Sequence, residues 1–265
     1  MDRFAERRNS GADAVKVLAL DFDGVISDSA PEAFAVALQT YAHVFPDGGL
    51  GPQDRDGDSS IFGSFLELMP LGNRAEDYAV CLRAIDSGQS IADQAAYDAF
   101  HEALDPAKLR AFHKRFYRVR SAWAKRDPSG WRAGLRPYPG ICDILRRRAA
   151  DVRLAIATAK DKSSVRDLLE GYGIAELFPE EYVLDKNTGV SKRAHVERLA
   201  ELAGCALDAV TFVDDKVNHL QDVAGLGARC VLAGWGYNGV REHRIAHESG
   251  FPVCHLEEFE STLFA

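Results

Sequence analysis

Val17-Leu18-Ala19-Leu20-Asp21-Phe22-Asp23-Gly24-Val25-Ile26-Ser27-Asp28-Ser29 is the stretch that decides the fold of this chain. Apolar residues suited to a buried strand run into two aspartates on alternate positions and then a glycine. In an extended backbone, alternate residues point to the same side. Asp21 and Asp23 can therefore converge at the carboxyl end of a strand, where open α/β sheets place their ligands. Carboxylates brought that close repel, and a divalent cation or a shared proton reconciles them. The plain alternative is a strand that ends in an Asp-rich turn. The rest of the chain decides between the two.

Downstream of this strand the pattern changes. Phe34, Leu38, Tyr41 and Phe45 recur at helical spacing within Ala33–Phe45, and a Gly/Asp-rich loop follows from Pro46 to Ser60. Ala75–Asp86 and Ser90–Leu104 read as helices, the second with Ser90 and Asp93 placed like a capping box. Asp105-Pro106 is an N-cap and first-turn pair for a helix to about Arg126, with Leu109, Phe112, Phe116, Val119 and Trp123 on one face. No alternating strand pattern interrupts Pro31 to Gly134, so the segment reads as an all-helical insert. From Arg136 strands and helices alternate again. Strands are expected at Val152–Ala157, Tyr182–Leu184, Ala209–Val213 and Ala228–Leu232. Helices are expected at Pro137–Ala150, Ser163–Glu170, Ser191–Leu202 and Val217–Leu226. This succession predicts an α/β fold: a Rossmann-like, mostly parallel sheet core with an inserted all-helical cap domain. The expected domains are a core of residues 1–29 and 136–265 and a cap of residues 30–135.

Composition sets further bounds. The chain of 265 residues is 46% hydrophobic and 27% charged, values of a soluble globular protein. A formal charge of −8 argues against nucleic acid as a partner, because phosphate backbones reward basic surfaces. Five scattered cysteines form no close pair and fit reduced, cytoplasmic thiols. Met1–Val15 is polar and lacks an apolar signal core, and no stretch approaches the length of a membrane span. The oligomeric state is not readable from the sequence.

Further candidate residues lie at the ends of the expected strands. Thr158 and Ala159 follow one strand and can hold an anion through a hydroxyl and free N–H groups. Lys192 opens a helix after the turn Asn187–Ser191 and can neutralise a phosphate and a carboxylate together. Asp214-Asp215 closes Thr211-Phe212-Val213. Singly, each has an ordinary reading: a helix cap, a solvated lysine, an acidic turn.

In order, DFDGV, PYPGI, ATAKD, GVSK and FVDD resemble the motifs of the haloacid dehalogenase-like hydrolase superfamily, and within it the phosphoglycolate-phosphatase-like branch with a helical cap. The resemblance implies a Mg²⁺-dependent phosphatase for a small phosphomonoester metabolite. Asp21 would be the nucleophile that becomes an aspartyl-phosphate, and Asp23 the general acid and base. Thr158, the Ala159 N–H and Lys192 would bind the phosphoryl group. Asp21, the Asp23 carbonyl, Asp214 and Asp215 would hold the metal. Relatives often carry a glycine before the last aspartate and an acid four residues after it. This chain admits two registers, one ending on His219 and one on Asn218, and Asn218 suits a hard cation better than His219. Asp23 argues against dehalogenation, whereas a sugar-phosphate phosphomutase or a binding protein that kept the core remains an alternative. Two features carry two readings each: the basic helix Lys108–Arg126 and the loop residue Arg74 read first as solvated cations and second as contacts to an anionic substrate.

Overall fold

A computed structural model describes residues 16–55, 59–72, 74–189 and 191–264. The expectations for residues 1–15, part of the loop 46–60, and Val190 in the turn before Lys192 lie outside the described residues. β1 (Val17–Leu20) is followed by β2 (Ser27–Asp28), and then the chain turns helical. The helices are α1 (Ala30–Val44), α2 (Ser59–Leu68), α3 (Ala75–Asp86), α4 (Gln94–Ala103), α5 (Pro106–Arg126) and α6 (Pro128–Ala133). β3 (Arg136–Pro137) pairs back antiparallel onto β2, Ser27 opposite Pro137. The remainder runs α7 (Ile141–Arg148), β4 (Arg153–Ala157), α8 (Lys162–Gly171), β5 (Val183–Leu184), α9 (Lys192–Ala203) and β6 (Val210–Asp214). It closes with α10 (Val217–Ala224), β7 (Arg229–Ala233), α11 (Val240–Glu248), β8 (Val253–Cys254) and α12 (Phe259–Leu263).

Six strands form one parallel sheet in the order β5-β4-β1-β6-β7-β8, with β1 between β4 and β6. Helices cover both faces, so alternate strand residues are buried on opposite sides. Leu18, Leu20, Leu154 and Ile156 enter one apolar cluster, and Val17, Ala19, Ala155 and Ala157 the other. Each fully buried large side chain contributes roughly 2 kcal/mol. The insert has its own core, in which Phe34, Leu38, Tyr41 and Phe65 meet Phe112 and Phe116 of α5. Among the described residues no helix is long and apolar enough to cross a membrane, and all five cysteines are free.

Several boundaries differ from expectation. α4 begins at Gln94, not near Ser90, because Asp93 is itself the cap and accepts from Ala96 N at 2.9 Å. Gly140, with φ 79°, stands at the cap before Ile141, so α7 starts later than Pro137, and Arg136-Pro137 are strand. α2 was not expected: serines and Gly63 weaken its helical signature, and burial of Phe65 and Leu68 supplies what propensity does not.

Candidate active site

β1, β4 and β6 are neighbours, and their carboxyl ends carry the candidate residues. Asp21 directly follows β1, and its N–H donates to Val213 O at 2.9 Å. Asp23 lies in the turn that Gly24 completes with φ 82°. A Cβ at Gly24 would sit 2.3 Å from Asp215 Oδ2, so glycine is required both by conformation and by space. Asp214 ends β6 and Asp215 follows it; both are buried. Thr158, also buried, follows β4, donates its N–H to Leu184 O and accepts from Lys160 N at 3.2 Å. Lys192 is the first residue of α9, whose N-cap Ser191 accepts from Ala194 N.

Lys192 Nζ lies 2.9 Å from Asp21 Oδ1 and 2.9 Å from Asp214 Oδ2, and donates to Ala157 O at 2.7 Å. Burial disfavours its charge, but the two carboxylates outweigh burial and hold it protonated. Burial likewise works against the Asp214 carboxylate, and Lys192 and His219 overcome it, so the group stays ionised far into acid. Asp21 is pushed above the usual carboxylate range by burial and by Asp214. Asp215 is pushed well above it by burial, Asp214 and Asp21.

Two of the three buried carboxylates thus share one ammonium. Asp21, Asp214 and His219 lie close enough to hold an ion, yet Lys192 already bridges Asp21 and Asp214. The acid without an ion pair among the described residues is Asp215, whose Oδ2 accepts the Tyr237 N–H at 3.0 Å. Hard oxygen donors and a surplus of negative charge fit Mg²⁺. Of the two later positions open in the sequence, His219 is the one whose side chain reaches the acids. His219 Nδ1 lies 3.1 Å from both Asp214 oxygens. Asn218 is exposed and its Oδ1 accepts from His219 N, so it is not part of the acid cluster.

Asp23 stands apart from Lys192. Lys160 Nζ donates to its two oxygens at 3.0 and 3.2 Å. Burial opposes that charge, but Lys160 and then Arg120 win, and the carboxyl lies below its ordinary range. Above it, a cavity of about 120 Å³ is walled by Tyr78, Phe116, Tyr117 and Arg120 of the insert, with Lys160 and Lys186 of the core. Arg74 also reaches this wall. Arg120 corrects the expectation of a purely solvated basic helix, since it turns inward onto buried Glu32 at 2.6 Å. Lys160 was overlooked although it stands in ATAKD; its position two residues past Thr158 was the available signal. The Trp235–Asn238 turn packs at the edge of the site, where Asn238 Nδ2 donates to Asp215 O and Tyr237 Oη accepts from Ala30 N.

The model of the haloacid dehalogenase-like hydrolase family matches residues 15–222. The chain belongs to that family. A tyrosine-protein kinase, PtkA, from Mycobacterium tuberculosis (strain H37Rv) is 25% identical over 241 residues, 87% of this chain. The alignment spans 66% of the kinase's own length. A phosphoglycolate phosphatase from Synechococcus elongatus is 24% identical over 226 residues, 84% of this chain and 86% of that one. Two solved structures share the fold. The haloacid dehalogenase-like family protein SP0104 from Streptococcus pneumoniae has a TM-score of 0.64 at 13% identity, over 94% of this chain and 97% of that one. Protein ATU0790 from Agrobacterium tumefaciens, of the same family likeness, has 0.56 at 15% identity, over 93% and 95%.

Proposed function

We propose that this hydrolase is a Mg²⁺-dependent phosphatase that cleaves a small phosphomonoester through an aspartyl-phosphate on Asp21. The observation that carries this reading is the different partner of each acid in the DFD motif: Lys192 for Asp21, Lys160 for Asp23. Two like groups with separate environments are suited to separate roles. Asp21 attacks phosphorus while Thr158, the Ala159 N–H and Lys192 bind the phosphoryl oxygens. Asp23 donates a proton to the leaving oxygen, then takes one from the water that hydrolyses the intermediate. Its ionised, Lys160-bound form here is the one suited to taking the proton. Asp21, the Asp23 carbonyl and Asp215 would hold the cation, with Asp214 tied to Lys192; bound there, it supplies positive charge against the transferring group.

On this reading, residues 30–135 act as a cap over a core of residues 1–29 and 136–265. The small cavity between them favours small phosphorylated metabolites over nucleic acid or phosphoprotein. Free thiols fit a reducing compartment such as the cytoplasm. Phosphate release from p-nitrophenyl phosphate, with and without Mg²⁺, tests the proposal. Release should require the cation and vanish in Asp21→Asn with the fold retained. Turnover that survives Asp21→Asn sinks the reading, and an isomerised product without phosphate release would make the enzyme a mutase.

A further inference from the structure

The outer face of α5 carries a second feature unrelated to the acid cluster. Arg115, Arg118 and Arg126 recur at three- and eight-residue spacing and line a groove of about 180 Å³ with Gln39 of α1 and Trp123. Among the described residues no carboxylate lines this groove. Two other cations of the helix are paired: Lys108 faces Asp47 at 3.9 Å and Arg120 faces Glu32. Among the described residues, Arg115, Arg118 and Arg126 make no ion pair. Arg115 Nε is buried and donates to no acceptor. Cations three residues apart on a helix repel each other, and a buried donor without an acceptor is rare in a folded protein. An anion in the groove would relieve the repulsion among these guanidinium groups.

We propose that this groove binds the oligophosphate group of a small metabolite. Guanidinium forks match phosphate oxygens two at a time, and several of them reward an anion of more than one charge. The volume is that of about six waters, room for a diphosphate or slightly more and not for a folded partner. The groove is separate from the cavity at Asp23, which Phe116, Tyr117 and Arg120 line from other positions of the same helix. Its occupancy does not depend on the reaction at Asp21.

The test is a calorimetric titration of the full chain with inorganic tripolyphosphate, with Trp123 fluorescence as a second readout. Sulfate and a hexaglutamate peptide are the comparison ligands. Tripolyphosphate should bind, sulfate far more weakly, and the Arg115→Gln/Arg118→Gln variant should lose at least about tenfold in affinity. Lys192→Met should leave that binding in place, and the double variant should keep wild-type activity on p-nitrophenyl phosphate. Equal affinity in the double variant, or loss of binding in Lys192→Met, would overturn the proposal. Tighter binding of the peptide would overturn it too, marking the face as a protein-docking surface. Arg126→Gln, at the exposed end of the groove, gives the same reading should the double variant fold poorly.

Discussion

Arg120 of α5 grips Glu32 of α1 with two prongs, Nε to Oε1 at 2.8 Å and Nη2 to Oε2 at 2.6 Å. Glu32 is fully buried and also accepts from Trp131 Nε1 at 3.0 Å. The pair ties the first and the longest helices of the insert together beside the cavity at Asp23. Arg120→Met leaves a carboxylate buried beside a single neutral donor. Breaking such a pair costs about 3 kcal/mol or more. Urea unfolding should register that loss, whereas Arg120→Met with Glu32→Met should recover much of it.

Lys192→Ala removes the ammonium shared by Asp21 and Asp214. The buried carboxylates then face each other, and stability should fall by about 3–5 kcal/mol at neutral pH. Phosphatase turnover should drop at least about a hundredfold, since a preorganised cation at the transferring group is lost. Stopped-assay phosphate release and chemical denaturation measure the two effects separately.

His195 predicts a pH dependence. Its Nε2 is 3.0 Å from Asp185 O, and burial together with Lys192 lowers its pKa below the ordinary 6.5. Between those values the unfolded chain binds a proton that the folded chain does not. Folding stability should therefore hold above about pH 6.5 and decline as pH falls through that range. His195→Gln should show a flatter profile between pH 7 and 5 in thermal melts, since one titrating group is gone.

Lys216 follows the acid pair directly and donates to Met69 O and Gly72 O in the segment between α2 and α3. Its own N–H is fixed by Asp214 Oδ1 at 2.9 Å. A core residue beside the acids thus fastens the insert. In Lys216→Met, KM for a small phosphomonoester should rise about tenfold with kcat little changed, the loss of charge-assisted hydrogen bonds that favour closure. A collapse of kcat at constant KM would place Lys216 in the chemistry instead.

Much of this was legible in the linear chain. Val17–Leu20 and Arg153–Ala157 are strands buried on both faces, so hydrophobicity alone marked them. Asp21 and Asp214 converge because parallel neighbours β1 and β6 present the same ends, and α9 opens there with Lys192. Less legible were features settled by distant contacts. β2 and β3 are two residues each, far apart in sequence, and exist only because they pair. α11 and β8 carry few apolar residues, and the short β8 gains definition from its alignment with β7. The inward turn of Arg120 was hidden because its partner, Glu32, lies on another helix, while periodicity reports only a residue's own helix. Asn218 and His219 differ in reach for a local reason. Asn218 spends its side-chain oxygen on the N–H of His219 at the start of α10, and the histidine ring reaches Asp214.

The antiparallel ribbon of β2 and β3 sets Asp28 opposite Arg136, so the insertion leaves and rejoins its scaffold at adjoining points. A segment attached in that way can be lengthened, trimmed or transplanted without rethreading what lies beneath. Exchanging the insert alone would change what lies over Asp23 while the sheet beneath stays as it is.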